Sequence, residues 1–322
     1  MHDLALQAAA VGLGTPQPAL TQTQTQRSPG YWRGVLTRLS ADRVAMGAAL
    51  VLLGLLVLAV FGPWLVPADP YQVSLLKRLA PIGSPRDLLG SDELGRDRLS
   101  RLMLGARLSL FMGLVPVLCA FVIGSVLGIV AGYAGGATNS AINSATNSAI
   151  NSATNSAIMR TIDVFYAFPS VLLAIALSGT LGVGIFNSLL SLTIVFVPLI
   201  ARVAEAVTAQ ARSRDCVAAA RASGAGAFAI VRVHVLGNVL GPVFVHATSL
   251  IALSLILASG LSFLGLGVKP PEPEWGLMLN TLRTAIDVQP AIAALPGLMI
   301  FITSIAFNLV SDGLRTAMDN KG

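Results

Sequence analysis

The hydrophobic residues of this chain gather into long runs that are separated by short polar and basic segments. A helix needs about 20 apolar residues to cross the roughly 30 Å hydrocarbon core of a bilayer. The pattern therefore predicts an all-α membrane protein with six transmembrane helices. The expected spans are Val44–Leu65, Leu108–Ala131, Ile162–Gly182, Val183–Val203, Val239–Leu261 and Ala291–Val310. The third and fourth are so close in sequence that we expect a tight hairpin between them.

Composition supports a membrane location. The 322 residues are 54% hydrophobic and only 11% charged, whereas about a quarter of the residues in a soluble domain are charged. Much of the surface must therefore contact membrane lipid. The formal charge of +6 is then interpreted as basic flanks of the spans. No basic run is interleaved with aromatic residues, so we expect no nucleic-acid partner.

The distribution of lysine and arginine predicts the topology, because basic residues favour the cytoplasmic side. Basic residues precede the first span, lie between the fourth and fifth, and follow the sixth. They are Arg27, Arg33, Arg38, Arg43, Arg202, Arg212, Arg214, Arg221, Arg232, Arg315 and Lys321. Both termini are therefore expected in the cytoplasm. The loop 66–107 opposes this assignment, since it holds seven basic residues and falls outside.

Two segments lack the apolar pattern. Residues 1–43 are polar and include LTQTQTQRSPG, which predicts a partly disordered cytoplasmic tail. We do not expect a cleavable signal, so the first span is expected to act as an uncleaved anchor.

Residues 137–158 read ATNSAINS, ATNSAINS, ATNSAI. On a helix, each octad would be rotated by roughly 80° relative to the preceding one, so the copies would share no common face. The insertion is therefore interpreted as a duplication tolerated in a cytoplasmic loop, with a binding array as the alternative.

The chain lacks the motifs of the common enzyme classes. It contains no GxxxxGK[ST] phosphate loop, no HExxH and no GxSxG, so the sequence favours a protein that is not an enzyme and has no cofactor. Cys119 and Cys216 are expected to remain unpaired, and no cysteine or histidine spacing indicates a metal. Ion-coupled transporters usually keep ionisable groups inside the membrane, and here the spans are nearly bare of them. The energy for transport must then come from a partner.

Three residues within or beside the spans are candidates for a role in the transport path or in helix capping. His246 in the fifth span either faces a water-filled path or bonds within the bundle. Pro169 interrupts the third span, where it either kinks a path wall or packs. Asp163, at the start of that span, is expected to cap a helix N-terminus.

The loop 204–238 between the fourth and fifth spans predicts two short helices joined by glycines. Asp215 or Ser213 can cap the first helix, and Gly224 is placed as a C′ residue with positive φ. The second helix is expected from Phe228 to Leu236, with Phe228, Val231 and Val235 on one face, and Gly237 and Asn238 ending it. Such a small, alanine-rich, basic surface is suited to docking on a partner, and a solvated connector is the alternative.

This loop resembles the cytoplasmic docking loop of binding-protein-dependent ABC importer permeases. The family pattern is EAA, three residues, glycine, nine residues, isoleucine, one residue, Leu-Pro. Ala219, Ala220, Gly224 and Leu236 match it, whereas Ala218, His234 and Gly237 replace glutamate, isoleucine and proline. Arg221 and His234 match the dipeptide, oligopeptide and nickel branch. The resemblance implies that the docking residues are Asp215, Ala218, Ala219, Ala220, Arg221, Gly224, Arg232 and His234.

Further stretches carry the same resemblance over residues 44–320. They are LGSDELGRDRLSRLMLGARLSL, GYAGG, IMRTIDVFYAFPS, GLSFLGLGVKPPEPEWGLML and AFNLVSDGLRTAMD. The first contains the extracytoplasmic motif Asp92, Gly95, Arg96, Asp97 and Arg101. Ser91 can cap a helix over 91–107, expected to lie at the membrane interface or to contact a substrate-binding protein. Trp275 in the last glycine-rich segment is suited to the interface.

The resemblance implies a type I ABC importer permease in the bacterial inner membrane. Residues 108–320 would form its core, next to a homologous permease, ATPase subunits and an extracytoplasmic solute-binding protein. The implied solutes are di- or oligopeptides, with nickel chelates and glutathione left open. A stand-alone secondary transporter or channel is the rival class, and a scaffold that only assembles other subunits is a third.

Overall fold

A computed structural model describes residues 31–84, 88–134, 145–287 and 289–319. These residues are mostly helical, and the strand-like features among them are isolated bridge positions, including a bridge between Ser91 and Asp97. Contacts divide the chain into a unit at Met1–Gly34, of which residues 31–34 are described, and a unit at Val35–Gly322 that holds the helical bundle.

The helices of the described chain are numbered in order. They are α1 Tyr31–Ala41, α2 Arg43–Leu65, α3 Arg98–Ala134, α4 Ala145–Tyr166, α5 Ser170–Leu181, α6 Ile185–Arg212, α7 Asp215–Ala222, α8 Ala227–Ile230, α9 Leu236–Phe263, α10 Trp275–Thr281 and α11 Pro290–Asp319. A π-helical turn at Val231–Val235 joins α8 to α9. Short 3₁₀ turns occupy Leu75–Lys77 and Leu282–Ala285.

Five helical segments are long and apolar enough to cross a membrane, and a bent pair of helices brings the number to six. The six-span prediction is therefore confirmed in number, and α2 begins one residue before the predicted Val44. The second span is longer than expected, since α3 has 37 residues. The segment from Ala227 to Phe263 forms a further span of 37 residues.

The third span is broken. Helix α4 ends at Tyr166, α5 starts at Ser170, and the two are bent by 92°. Pro169 immediately precedes α5 with φ −56° and ψ 127°, an extended conformation at which α4 cannot continue. The span expected over 162–182 therefore consists of parts of two helices, and its interruption lies at Pro169, where the sequence placed it.

The octad repeat also departs from expectation. Its described part, residues 145–158, lies within α4, where a loop was expected; residues 137–144 lie outside the described chain. Alanine is the best helix former and occurs twice in each octad, and the apolar residues after Ile158 extend the helix to Tyr166. Residues 31–41 of the expected tail are helical too, and the tail up to residue 30 is not described.

Helices α3 and α6 are held together along a row of glycines. A Cβ on Gly124, Gly128 or Gly132 would lie 2.9, 2.4 or 2.6 Å from a backbone carbonyl oxygen of α6. Only glycine permits such close approach at a spacing of four residues, the small-residue pattern typical of helix pairs in membranes. The spacing is visible in the sequence as GSVLGIVAG, and it predicts a rigid α3–α6 pair.

The main apolar core lies between α3, α6 and α9, where Met112, Phe196 and Val243 are fully buried. Helix α2 packs against α3 and α11 at the edge of the bundle. At its start, a Cβ on Gly313 of α11 would lie only 2.4 Å from the Cβ of Ala45. The outer face of α2 is apolar and exposed, as at Leu50, which is suited to lipid.

Candidate functional site

The elbow, which we define as Asp215–Val235, connects α6 to α9 through α7, a glycine turn, α8 and the π-turn. Its centre is the turn at Gly224, which has φ +80°. The backbone N–H of Gly224 donates to the carbonyl of Arg221 at 3.0 Å, and that of Ala225 donates to the carbonyl of Ala220 at 3.1 Å. These two bonds form a Schellman motif, which confirms the predicted C′ role of Gly224.

The start of the elbow differs from the prediction. Arg214 occupies the N-cap position of α7 and makes no side-chain capping bond. Asp215 lies in the first turn of the helix instead, where a negative charge is favoured by the helix dipole. The hydroxyl of Ser213 donates to the carbonyl of Gln210 at 2.8 Å. The expectation that Asp215 or Ser213 caps α7 is therefore wrong.

The end of the elbow also differs. Gly237 and Asn238 do not end the second helix, because α8, the π-turn and α9 run on without a break. The side chain of Asn238 donates to the carbonyl of His234 at 2.7 Å and accepts from Arg214 at 2.8 Å. Asn238 thus ties the two ends of the elbow together.

The inner face of the elbow is apolar, with Val217, Ile230 and Val235 buried against the bundle. The outer face is exposed and carries Phe228 and Val233 with exposed fractions of 79% and 68%. The sequence predicted that Phe228 and Val235 share a face of the helix, and this prediction is wrong. The π-turn between them changes the helical register. An exposed phenylalanine on an alanine-rich helix pair provides the apolar anchor typical of protein interfaces.

The predicted docking residues are distributed over this surface. The structure places Asp215, Ala218, Ala219, Arg221, Gly224 and Arg232 at exposed positions, and Ala220 and His234 at half-buried positions. Phe228 and Val233 were not among the predicted docking residues. Their apolar side chains in an otherwise polar loop were the signal that could have identified them.

Two arginines connect the elbow to the end of α3. The Arg212 guanidinium donates to the carbonyls of Gly132 at 3.0 Å and Tyr133 at 3.1 Å. These carbonyls belong to the last turn of α3, whose acceptors have no partner within the helix. The guanidinium of Arg221 lies 5.4 Å from the centroid of the Tyr133 ring, within the range of a cation–π interaction.

The bend between α4 and α5 opens a cavity of about 280 Å³, lined by Phe165, Phe168 and Pro169 of the bend and by Pro198 of α6. Pro169, a predicted path residue, thus lines open space. Its role in a path stays a prediction.

An ion pair lies near this bend. Asp163 accepts from Arg202 at 2.7 Å, and both side chains are about half exposed. The Arg202 guanidinium also lies 5.9 Å from the centroid of the Tyr166 ring. Asp163 is therefore near the C-terminal end of α4, and the expectation that it caps a helix N-terminus is wrong. The broken span, with its first helix extending back to Ala145, is the reason.

His246, the other predicted path residue, is half buried in α9. Nearby polar contacts join α9 to α11, where the hydroxyls of Thr248 and Ser311 lie 3.0 Å apart. The Ser249 hydroxyl donates to the carbonyl of His246 at 2.7 Å. These bonds give the residues next to His246 a role in packing, and a role of its side chain in transport stays a prediction.

The predicted extracytoplasmic motif forms a buried polar cluster in the connection between α2 and α3. One carboxylate oxygen of Asp92 accepts from the backbone N–H groups of Leu94 and Arg96, each at 2.9 Å. The other pairs with Arg96 at 2.7 Å and lies 3.7 Å from Arg101. A Cβ on Gly95, at φ +72°, would lie 1.8 Å from the carbonyl oxygen of Ser74. The motif therefore shapes a tight turn.

Helix α3 begins after this turn, and Asp97 is its cap. The Asp97 carboxylate accepts from the backbone N–H of Ser100 at 2.8 Å, as an N-cap residue does. Ser91 caps no helix; its hydroxyl accepts from the backbone N–H of Ala80 at 2.9 Å. The helix expected over 91–107 with Ser91 as cap is therefore wrong in its start, because Asp92 and Gly95 build a turn there.

Arg101 joins this connection to the segment before α10. Its guanidinium donates to the carbonyls of Pro70 at 3.0 Å and Pro271 at 3.3 Å. Tyr71 donates to Glu272 at 3.1 Å, and burial together with this bond raises the pKa of the Tyr71 hydroxyl. Since the side chains of Asp92, Arg96, Asp97 and Arg101 are nearly all buried, the cluster acts as structure rather than as an open binding surface.

Glu274 and Trp275 form a second buried anchor. Glu274 caps α10 by accepting from the backbone N–H groups of Gly276 at 2.9 Å and Leu277 at 2.8 Å. Burial raises the pKa of this carboxyl. The Trp275 indole donates to the carbonyl of Leu102 in α3 at 3.0 Å and is fully buried. The interface position expected for Trp275 is therefore wrong, because its N–H finds a partner inside the bundle.

Comparison with known families agrees with this architecture. Residues 124–321 match the model of the binding-protein-dependent transport system inner membrane component. Residues 30–81 match the N-terminal TM domain of oligopeptide transport permease C. The first match contains the elbow, and the second contains α1 and α2.

Similar proteins are permeases of bacterial importers. The di/tripeptide transport system permease protein DppC of Pseudomonas aeruginosa is 39% identical over 87% of this chain and 89% of its own length. The glutathione transport system permease protein GsiD of Escherichia coli O6:K15:H31 is 37% identical over 94% of both chains. A chain from inward-facing MetNI methionine ABC transporter superposes with a TM-score of 0.51 at 19% identity, covering 67% of this chain and 97% of that one.

Proposed function

The chain belongs to the family of binding-protein-dependent transport system inner membrane components, and we propose that it forms half of the translocation path for di- and oligopeptides. It is a multi-pass permease subunit of an ABC importer in the bacterial inner membrane. Its relatives are permease subunits rather than enzymes. ATP hydrolysis is then the task of a separate ATPase subunit, on which the chain docks.

The proposal that the elbow couples the chain to the ATPase rests on one observation, the exposed outer face of the elbow at the Gly224 turn. Apolar side chains exposed as fully as Phe228 and Val233 are suited to burial against a protein partner. Asp215 and Arg232 are exposed on the same loop, and their charge favours specificity over raw affinity. The elbow lies between two spans, so an ATPase bound there moves α6 and α9 directly.

The proposed cycle follows from that position. A homologous permease presents a second elbow to a second ATPase site, and ATP-driven closure of the ATPases brings the two elbows together. The helices then turn as rigid bodies, and the path between the permeases opens to the side where a solute-binding protein releases its cargo.

The solute class rests on the relatives. Di- and tripeptides and glutathione appear in the names of the two kinds of relative described above, and glutathione is itself a tripeptide. We therefore assign small peptides as the class, with glutathione as the second candidate because GsiD matches more of the chain than DppC does.

Reconstitution tests this function. The chain is incorporated into proteoliposomes with its partner permease and ATPase subunits, and uptake of radiolabelled alanylalanine and glutathione is measured with the binding protein present. We expect uptake that requires ATP and every subunit. Flux of either solute through the chain alone would support a stand-alone transporter. Uptake unaffected by substitutions along the path would support a scaffold.

Docking is tested separately by co-purification with the ATPase. Phe228→Ser is expected to weaken ATPase association, because it removes the largest exposed apolar side chain of the elbow. Leu76→Ser is the matched control, since Leu76 is fully exposed but lies in the connection between α2 and α3. Equal retention of the ATPase by both variants would contradict docking through the outer face.

A further inference from the structure

The elbow contacts the bundle at a second point that its place in the chain does not require. Helix α7 follows α6, so contact with α6 is expected, yet Arg221 of α7 lies over Tyr133 at the end of α3. Arg212, at the end of α6, donates to the carbonyls of Gly132 and Tyr133 in the same turn. Three helices therefore meet at Tyr133.

The end of α3 is fixed from its other side as well. Gly132 packs so closely on α6 that an added Cβ would lie 2.6 Å from the carbonyl oxygen of Glu205 and 2.8 Å from the Cβ of Thr208. Interfaces packed this closely shift as units rather than deform gradually. A force applied to Tyr133 therefore acts on α3 and α6 together.

We propose that Tyr133, Arg212 and Arg221 form a joint that transmits displacement of the elbow to α3. These are positioning residues, and the inference rests on the proposed docking of an ATPase at the elbow. Arg221 is exposed and acts in the joint through the contact of its guanidinium with the Tyr133 ring, while the ATPase is held by Phe228 and Val233.

Helix α3 is suited to carry this displacement across the protein. Its 37 residues span about 55 Å at 1.5 Å per residue. At its far end, Arg101 bonds Pro271 at 3.3 Å, and the carbonyl of Leu102 accepts from Trp275 at 3.0 Å. One helix thus contacts the elbow at Tyr133 and the segment before α10 at its opposite end.

The two native cysteines allow the joint to be tested without new labelling sites. Cys216 lies on α7 and Cys119 on α3, and both are free and exposed. Nitroxide labels on them report the distance between elbow and α3 by pulsed electron paramagnetic resonance. The measurement is made on the isolated chain and on its complex with the ATPase, both without nucleotide and trapped with ATP and vanadate.

We expect one narrow Cys119–Cys216 distance in the unaltered chain, preserved in both states of the complex, because elbow and α3 move as one body. Tyr133→Leu and Arg221→Gln should each increase the population in which the elbow is detached from α3. The expected increase is about two- to fivefold, which corresponds to the free energy of a surface cation–π contact. Tyr133→Phe keeps the ring and should retain the narrow distance. The ATPase should still co-purify with the Tyr133→Leu and Tyr133→Phe chains.

A double-mutant cycle separates the joint from general damage. If Tyr133 and Arg221 act on each other, Tyr133→Leu combined with Arg221→Gln should detach the elbow no more than either change alone. Additive detachment would overturn the proposal, as would a narrow distance in both single variants. Arg232→Gln removes an elbow charge outside the joint and should leave the distance in the isolated chain unchanged.

The outcome also distinguishes this inference from the proposed function. If the unaltered chain fails to bind an ATPase, the proposed function fails, and the distances in the isolated chain still decide whether the joint exists. If the variants lose the ATPase while the distance stays narrow, Arg221 is a docking residue and the joint is refuted. A label on Ser223→Cys in a Cys216→Ser chain replaces the Cys216 label if that label itself prevents docking.

Discussion

Replacing Gly224 by alanine should weaken the hold of the chain on its ATPase. Gly224 has φ +80°, and no neighbouring atom lies within 4 Å of an added Cβ. The change is therefore free of steric clash with the rest of the chain, and its whole effect comes from backbone conformation. Gly226 offers a matched control, because its surroundings are equally open while its φ is −67°.

The magnitude follows from the free energy of the left-handed conformation. That conformation costs an L-residue about 1–2 kcal/mol, which corresponds to a factor of about 5–30 in an equilibrium constant. In the Gly224→Ala chain, the equilibrium constant for forming the turn with its two Schellman bonds would fall by that factor. Because the ATPase binds only the competent elbow, the apparent Kd rises by up to the same factor. The Gly226→Ala chain has no such penalty.

The assay is binding of the purified ATPase to the chain in nanodiscs, measured by biolayer interferometry. We expect Gly224→Ala to raise the Kd by more than about twofold and by up to about 5–30-fold, and Gly226→Ala to leave it within about twofold. Gly224→Asp, which adds a charge at the same point, should abolish association.

Two results would refute this reasoning. If both alanine variants weaken binding equally, the glycines serve close approach of the ATPase rather than the shape of the turn. If neither variant weakens binding, the ATPase does not depend on the Gly224 turn, and the docking surface must lie elsewhere on the chain.

Three other predictions follow from contacts in the bundle and from the repeat. Gly128→Ala should lower the thermal unfolding temperature in detergent, because its Cβ would lie 2.4 Å from a carbonyl oxygen of α6, whereas Gly47→Ala, with open space around it, should not. Asp97→Ala should cost about 1 kcal/mol through loss of the α3 cap, and Asp97→Asn should restore most of it, as measured by the same unfolding assay. Deleting Ala137–Ser152 should leave uptake in proteoliposomes unchanged; loss of uptake or assembly would show that the repeat is needed.

The spans and the glycine turn could be predicted from the sequence because both depend on local patterns. Apolar length determined the start of α2 to within one residue, and Gly224 followed from its place after an alanine-rich helix. The start of α3 could not be predicted in the same way. Ser91 and Asp97 are both good capping residues, and the choice between them depends on a turn whose partners, Ser74 and Leu79, lie far back in the chain.

A long-range contact explains the error at Trp275. Trp275 has the character of an interface residue, and only the approach of α3, which brings the carbonyl of Leu102 within 3.0 Å, makes its full burial favourable. Gly105 permits that approach, since an added Cβ would lie 3.1 Å from the indole. A sequence pattern records neither fact.

The elbow, where we propose that the ATPase docks, departs from the family pattern at two informative positions. The family pattern places glutamate and proline where this chain has Ala218 and Gly237. Loss of the proline is compensated by the continuous helix through the π-turn into α9, which keeps the second half of the elbow rigid without it. Loss of the glutamate leaves an alanine on α7, and Phe228 on α8 is 79% exposed, so we expect the ATPase to be held more by apolar burial than by an ion pair. ATPase binding to this chain should accordingly depend only weakly on salt, since screening acts on exposed charges and not on apolar contact. A Kd that rises about tenfold or more between about 0.05 and 0.5 M salt would show that charge dominates instead.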